Sequence, residues 1–356
     1  MNKKVHNFSA GPSILPDKVF EQASSAVKDF NNSGLSILEI SHRSNDFIEV
    51  LEEARFTALD IAELNKDEYT CLYLQGGASL QFLMTAYNFL NNNAAYINTG
   101  SWSTKAIKEA KMFGDVTEIA SSADKNFNYI PKDLSLNESY DYLHLTSNNT
   151  IFGTQFHSFP DVNYPLFADM SSDIFSRKIN FSKFDLIYAG AQKNLGPAGV
   201  TMVLIRKSLL KNISRQVPSM LSYKIHADKD SSFNTPPVFP IYCVLLNLRM
   251  IKNDGLDNIA SNNDIKSKLI YEEIDNNKCF SGFSHVDDRS QMNATFNLND
   301  GFNGELFNEI CKENNISGIN GHRSVGGYRA SIYNALPIDS VKLLIKCMKE
   351  FESNYN

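Results

Sequence analysis

Several things are missing from this chain of 356 residues, and each absence narrows what it can be. No apolar run approaches the length of a helical membrane span, so a membrane class is not indicated. There is no basic excess: 34 Lys+Arg against 40 Asp+Glu leave a net charge of −6, and no basic stripe offsets it. Nucleic acid and anionic membranes both call for a clustered positive field, so neither is expected as the main partner. No C-x-x-C occurs. Cysteines stand singly at 71, 243, 279, 311 and 347, an odd and widely spaced set that suggests free buried thiols in a reducing cytoplasm, not a disulfide framework. The seven histidines are just as scattered, so spacing suggests no metal site. The opening "MNKKVHNFSAGP" has two lysines with no apolar segment behind them, unlike a signal peptide. Tryptophan occurs once, at Trp102.

What is present reads as an ordinary globular chain, 42% apolar and 21% charged, long enough for two domains. "PDKVFEQASSAVKDF" puts Val19, Phe20, Ala23, Val27 and Phe30 on one helical face, opened by Pro16 and stopped by Asn31-Asn32-Ser33-Gly34. "NDFIEVLEEARFTALDIAEL" repeats the pattern through Phe47, Val50, Leu51, Ala54, Ala58 and Ile61. Short apolar runs follow at 69–74, 94–97, 116–120, 140–145, 165–169, 185–191 and 200–205, several separated by helical stretches. That rhythm predicts an α/β fold: a large domain with a mostly parallel seven-stranded sheet covered by helices. Beyond Gly255 the rhythm changes. A long helix at about 256–276, strands near 291–298 and 328–334, and helices at 304–314 and 339–352 form a smaller α+β unit. The expected domains are 16–255 and 256–356, the latter with an N-terminal strap, 1–15. No internal repeat or low-complexity segment stands out, although asparagine is abundant in the loops.

"FDLIYAGAQKNLGPAGVTMVLIRK" (184–207) sets Lys193 just after a core strand, among Gly190, Ala191, Gly196 and Gly199. In an open α/β sheet, ligands sit beyond the carboxyl ends of the strands. Asp169 closes the run "YPLFAD", Thr150 follows "YLHLTSNN", "QGGAS" follows "YTCLYL" and opens a helix at Ser79, and Trp102 follows "AAYINTGS". Each has a plainer explanation alone: a solvated lysine, a helix-capping aspartate, a turn, a core tryptophan. Together at one sheet edge they make a different set. A desolvated lysine becomes a nucleophile able to form a Schiff base. A carboxylate can keep a pyridine nitrogen protonated. A glycine turn opening a helix offers N–H groups to a phosphate.

Several blocks also resemble one known family: "FSAGPSILP", "EISHRS", "QGGASLQF", "TGSWS", "ADMSSDIFSR", "YAGAQKNLGPAG", "FNTPP" and "GHRSVGGYRASIYNALP". In that order and spacing, from residue 8 to the end, they are similar to the phosphoserine aminotransferases, fold-type-I pyridoxal-phosphate enzymes of the class V aminotransferase group with an aspartate-aminotransferase-like fold. The resemblance implies roles. Lys193 and Asp169 are catalytic, Lys193 bonding the cofactor and later shuttling a proton, Asp169 pairing with the pyridine nitrogen. Trp102 stacks on the ring, Thr150 reaches its phenolic oxygen, and Ala78, Ser79 and Gln192 hold the phosphate. Asn234 and Thr235 reach that phosphate from the other subunit of a homodimer. Arg329 clamps the α-carboxylate. Ser9, His42, Arg43, His322 and Arg323 form a pocket for a phosphate or γ-carboxylate. Where some members carry an arginine in the glycine turn this chain has Ser79, which implies weaker hold on the cofactor.

The implied reaction moves an amino group from L-glutamate to 3-phosphohydroxypyruvate, giving O-phospho-L-serine and 2-oxoglutarate in cytoplasmic serine biosynthesis. Some members also aminate a longer phosphorylated oxo acid on the way to pyridoxine, which these residues leave open. The alternatives are a sibling such as an alanine–glyoxylate aminotransferase, or a catalytically silent cofactor-binding protein. For a cysteine desulfurase, none of the five cysteines sits in a Gly/Ser-rich mobile loop.

Overall fold

The computed structural model describes residues 4–136 and 139–355. The first three residues of the expected strap and the last residue of the small domain lie outside them. In chain order the elements are β1 (His6–Asn7), α1 (Asp17–Lys28), α2 (Asn45–Ile61), β2 (Tyr69–Leu74), α3 (Gly77–Phe89), β3 (Asn93–Asn98), α4 (Ser101–Ala110), β4 (Asp115–Ser121), β5 (Leu143–Thr146) and β6 (Leu166–Asp169). Then come β7 (Leu186–Gly190), β8 (Thr201–Arg206), α5 (Lys207–Lys211), α6 (Tyr223–Asp228), α7 (Val238–Asp254) and α8 (Leu256–Asn276). The last group is β9 (Phe280–Gly282), β10 (Asn293–Leu298), α9 (Gly304–Glu313), β11 (Ile316–Ser317), β12 (Tyr328–Ser331) and α10 (Ile338–Ser353).

Seven strands form one sheet in the order β2-β8-β7-β6-β5-β3-β4. Only β8 runs against its neighbours. Strands β2, β5, β6 and β7 are buried along their whole length, β2 even at the edge of the sheet, which is why they read as continuous apolar runs. Alternation still decides which side each residue takes. Cys71, Tyr73, Leu145, Ala168, Ile187 and Ala189 pack under α2 and α7. Leu72, Leu74, Tyr96, Phe167 and Tyr188 pack on the other face, under α3 and α4. Asp169 and Tyr188 sit opposite one another in register, so they share this second face.

A three-stranded antiparallel sheet, β12-β10-β9, carries the second unit. Ile270 and Ile274 of α8, Phe307 and Ile310 of α9, and Leu344, Cys347 and Phe351 of α10 cover it, and Phe8 from the strap joins the same core. The strap is further tied by β1, which pairs in parallel with β11.

One expectation needs correction. Phe20 belongs to the apolar face of α1 by spacing, yet it is 57% exposed, because that face is only as wide as Val19, Ala23 and Ala26. Several asparagines tie the layers together. Asn148 Nδ2 bonds Asn293 Oδ1 at 2.8 Å, Asn334 N–H bonds Asn194 Oδ1 at 3.0 Å, and Asn263 Nδ2 bonds Asn334 Oδ1 at 2.8 Å. All of these except Asn334 are buried; two of the bonds join the segments after β5 and β7 to β10 and to the segment after β12, and the third ties α8 to that last segment. An amide can donate and accept at once, which suits it to stitching two layers of backbone. All five cysteines are buried and free, and no helix among the described residues is long and apolar enough to cross a membrane.

Candidate active site

The carboxyl ends of β5, β6 and β7 meet beside the strap. β7 ends at Gly190, and the chain turns through Ala191 and Gln192 to Lys193. Ser13 fixes that turn, its N–H bonding the Gln192 carbonyl at 2.9 Å and its hydroxyl bonding the Lys193 carbonyl at 2.5 Å. Gly11 passes so close that a Cβ there would stand 3.2 Å from Lys193 Cγ. Lys193 Nζ donates to Thr150 Oγ1 at 2.6 Å and lies 5.6 Å from the centre of the Trp102 ring. Burial pulls its ammonium down to about 8, with the Asp169 carboxylate opposing the shift and the Arg329 guanidinium adding to it.

Asp169, the last residue of β6, is buried, and burial raises its pKa while Lys193 and Ser171 hold it down. Its Oδ1 accepts both the N–H of Ser171 at 2.9 Å and the Ser171 hydroxyl at 2.6 Å. No hydrogen bond among the described residues uses Oδ2, so one carboxylate oxygen is left to accept from a ligand. Buried Trp102 Nε1 and Thr146 Oγ1 have no hydrogen-bond partner either.

Trp102 stands in the first turn of α4, whose start Ser103 caps by accepting from the N–H groups of Thr99 at 2.9 Å and Gly100 at 3.0 Å. Ala78 and Ser79 are in the first turn of α3. Gly76 and Gly77 before them take φ of 91° and 66°, the left-handed conformation that glycine adopts freely. No side chain caps this helix, so its leading N–H groups face outward together. The Gln192 side chain folds back over Gly190. Asn234 Nδ2 bonds Gln75 Oε1 at 3.3 Å, which puts the 234–235 segment next to the glycine turn of its own chain.

Arg329 is on β12 and reaches across, its Nη1 donating to the Thr150 carbonyl at 3.1 Å. Thr150 thus touches both Lys193 and Arg329. Buried Arg329 Nε has no partner. His322 and Arg323 lie in the loop before β12, where His322 Nδ1 pairs with Ser324 Oγ at 2.7 Å. Ser9 packs against Gly318 and bonds Asn7 through its N–H. His42 and Arg43 lie in the turn before α2. The Arg43 N–H bonds Ser41 Oγ, and no hydrogen bond or ion pair among the described residues links either residue to Lys193, His322 or Arg329.

Three contributors escape a reading of the sequence. Ser171 orients Asp169 and also receives the Gly190 N–H at 3.1 Å. Asp173 is a second buried carboxylate, bonded to Gln155 at 3.0 Å and to Ser147, and its charge also acts on Lys193. Lys105 places its Nζ 4.5 Å from the Trp102 ring centre. Only its place one turn after Trp102 on a helix could have marked it.

A site with a desolvated lysine, an unfilled carboxylate oxygen and an uncapped helix start around one indole fits pyridoxal phosphate. The family model for class-V aminotransferases matches residues 5–344. The chain belongs to the class-V aminotransferases. It is 56% identical, over 98% of its length and 99% of the relative's, to the phosphoserine aminotransferase of Flavobacterium psychrophilum. Among solved structures it resembles phosphoserine aminotransferase from Bacillus circulans subsp. alkalophilus, with a TM-score of 0.95, 43% identity and all of both chains covered. The phosphoserine aminotransferase of Trichomonas vaginalis, described as having bound pyridoxal phosphate, is 35% identical with a TM-score of 0.92, covering 97% of this chain and 100% of that one.

Proposed function

We propose that this class-V aminotransferase is a phosphoserine transaminase of L-serine biosynthesis, acting with pyridoxal phosphate on L-glutamate and 3-phosphohydroxypyruvate. The observation that carries the reading is the Lys193–Thr150–Arg329 chain of contacts, which puts a depressed lysine one residue away from a guanidinium. When bound, pyridoxal phosphate supplies an electron sink and a temporary carrier for the amino group. The residues of the chain do the rest. Lys193 Nζ would hold the cofactor covalently and, once the substrate amine had displaced it, would be the free base that takes and returns the substrate Cα proton. The Asp169 carboxylate would keep the ring nitrogen protonated through its free oxygen, and Ser171, bonded to the other oxygen, holds the carboxylate in place. Trp102 supports the ring face, and Thr150 holds the phenolic oxygen. Ala78 and Ser79 offer backbone N–H groups and a hydroxyl to the phosphate, with Gln192 beside them. Without an arginine at Ser79 that hold relies on neutral donors.

Arg329 clamps the α-carboxylate, for which a planar fork is the matching shape. His322 and Arg323, with His42, Arg43 and Ser9, form the pocket for the distal dianion. The enzyme acts as a homodimer, a reading supported by exposed Leu35, Leu38, Phe56 and Phe233, apolar side chains that a second copy would cover. In that dimer Asn234 and Thr235 of one copy reach the phosphate of the other. Residues 16–255 form the large domain and 256–356 with the strap the small one, a division supported by the shared core of Phe8, Ile270 and Phe351. Free buried thiols support a cytoplasmic location.

The test is the visible absorption of the cofactor-loaded protein on titration with L-glutamate, O-phospho-L-serine and L-serine. The first two should convert the cofactor to its amino form and L-serine should not. Equal response to L-serine would overturn the phosphate pocket, and no cofactor band after adding pyridoxal phosphate would overturn the role of Lys193. Cross-subunit contribution is tested by mixing inactive Lys193→Ala and Asn234→Ala proteins under subunit exchange. Activity should reappear in the mixed dimers, because one of their two sites has neither change. Mixtures that remain inactive would place Asn234 in its own chain's site.

A further inference from the structure

Several arginines of this chain are paired with carboxylates. Arg55, Arg206, Arg249 and Arg289 each have an Asp or Glu oxygen within 2.8 Å. Around the rim of the site, cations without a carboxylate partner stand together. Lys105 rests over an indole, Arg329 on a carbonyl and His322 on a serine hydroxyl. No carboxylate among the described residues is within ion-pair distance of Lys105, Arg323 or Arg329. In a chain of net charge −6, so many unmatched cations in one place point to anions supplied from outside. The group is mutually felt: besides burial, the charges of Arg329, Arg323 and Lys105 each depress the ionisation of His322.

We propose that Lys105 is a specificity-determining residue, whose ammonium over Trp102 favours a phosphate over a carboxylate at the far end of the substrate. The inference rests on the phosphoserine reading above. Lys105 is exposed and on α4, so the helix sets its direction and the indole its height, while its Nζ remains available for a charge-assisted bond. A phosphate monoester carries close to two negative charges at neutral pH and a carboxylate one, so an added cation acts more strongly on the first. Nothing covalent is asked of Lys105. It adds attraction at the one end of the substrate where the two amino donors differ.

The experiment compares the cofactor-loaded wild type with Lys105→Met and Lys105→Arg, measuring kcat and KM for O-phospho-L-serine and for L-glutamate. Lys105→Met should lower kcat/KM for O-phospho-L-serine by about tenfold, mostly through KM, and for L-glutamate by about threefold or less. Lys105→Arg should stay within about twofold for both, because the charge is kept. The preference should also depend less on salt in Lys105→Met than in the wild type. A residue that only braces the indole would reduce both substrates equally and shift the Trp102 emission, which would overturn the proposal. So would an unchanged preference in Lys105→Met. A wild type that does not turn over O-phospho-L-serine would instead overturn the phosphoserine reading itself.

Discussion

Lys193 has its ammonium desolvated by the turn it stands in, and only the neutral amine can attack a carbonyl. Its pKa of about 8 makes a direct prediction for the cofactor-free protein. The rate of covalent loading with pyridoxal phosphate, trapped by borohydride and read by mass, should climb from about pH 7 to about pH 9 and then level. A flat profile across that range would mean that the lysine is not held in the environment described. The sequence made the type of residue at each position legible but not the finer wiring. Lys193, Asp169 and Thr150 could be picked out because strand ends are visible as the ends of apolar runs. Ser171 and Asp173 could not, because their importance comes from direction: one hydroxyl aimed back at Asp169, one carboxylate buried behind it. Such directions are set by backbone geometry that has no periodic signature.

Elements were the most legible scale. All seven strands of the large sheet occur at the expected runs, with the 140–145 run starting its strand only at Leu143 and ending at Thr146. Buried strands read plainly because nothing polar interrupts them. The apolar width of α1 was overread, since spacing shows which residues share a face and not how much of it a neighbour covers. The start of α3 is the element with most at stake. Gly76 has φ of 91°, and an added Cβ would stand 2.5 Å from Leu80. Gly76→Ala therefore meets backbone strain of about 1–3 kcal/mol along with that clash. Affinity for pyridoxal phosphate, titrated by quenching of Trp102 fluorescence, should fall by about tenfold or more. Affinity unchanged in a folded variant would remove the phosphate from this turn.

At the scale of the whole molecule, buried polar groups bind one layer to the next. Lys266 of α8 is buried with its Nζ on three carbonyls, those of Ile332, Tyr333 and Leu336, at 2.7 to 3.2 Å. Three donors meet three acceptors, so it fixes the segment leaving β12 even though burial depresses its ionisation. His144 lies in the centre of the large sheet, its Nε2 2.8 Å from the Tyr188 hydroxyl, and burial pushes its pKa from 6.5 to about 3. Between those values the unfolded chain binds a proton that the folded chain refuses, so stability is lost as pH falls through that window. His144→Gln should take up about one proton fewer on acid unfolding, measured from the pH slope of denaturant unfolding. An unchanged slope would show that His144 is already protonated in the fold. The strap adds an order in time. β1 lies at the start of the chain and pairs with β11 near its end, while Ser13, a few residues on, holds the backbone of Lys193. A ribosome releases the first partner long before the second exists. Until β11 and β12 emerge, β1 has no strand to pair with and Arg329 is not yet made, so a nascent chain cannot complete its catalytic site before synthesis is nearly finished.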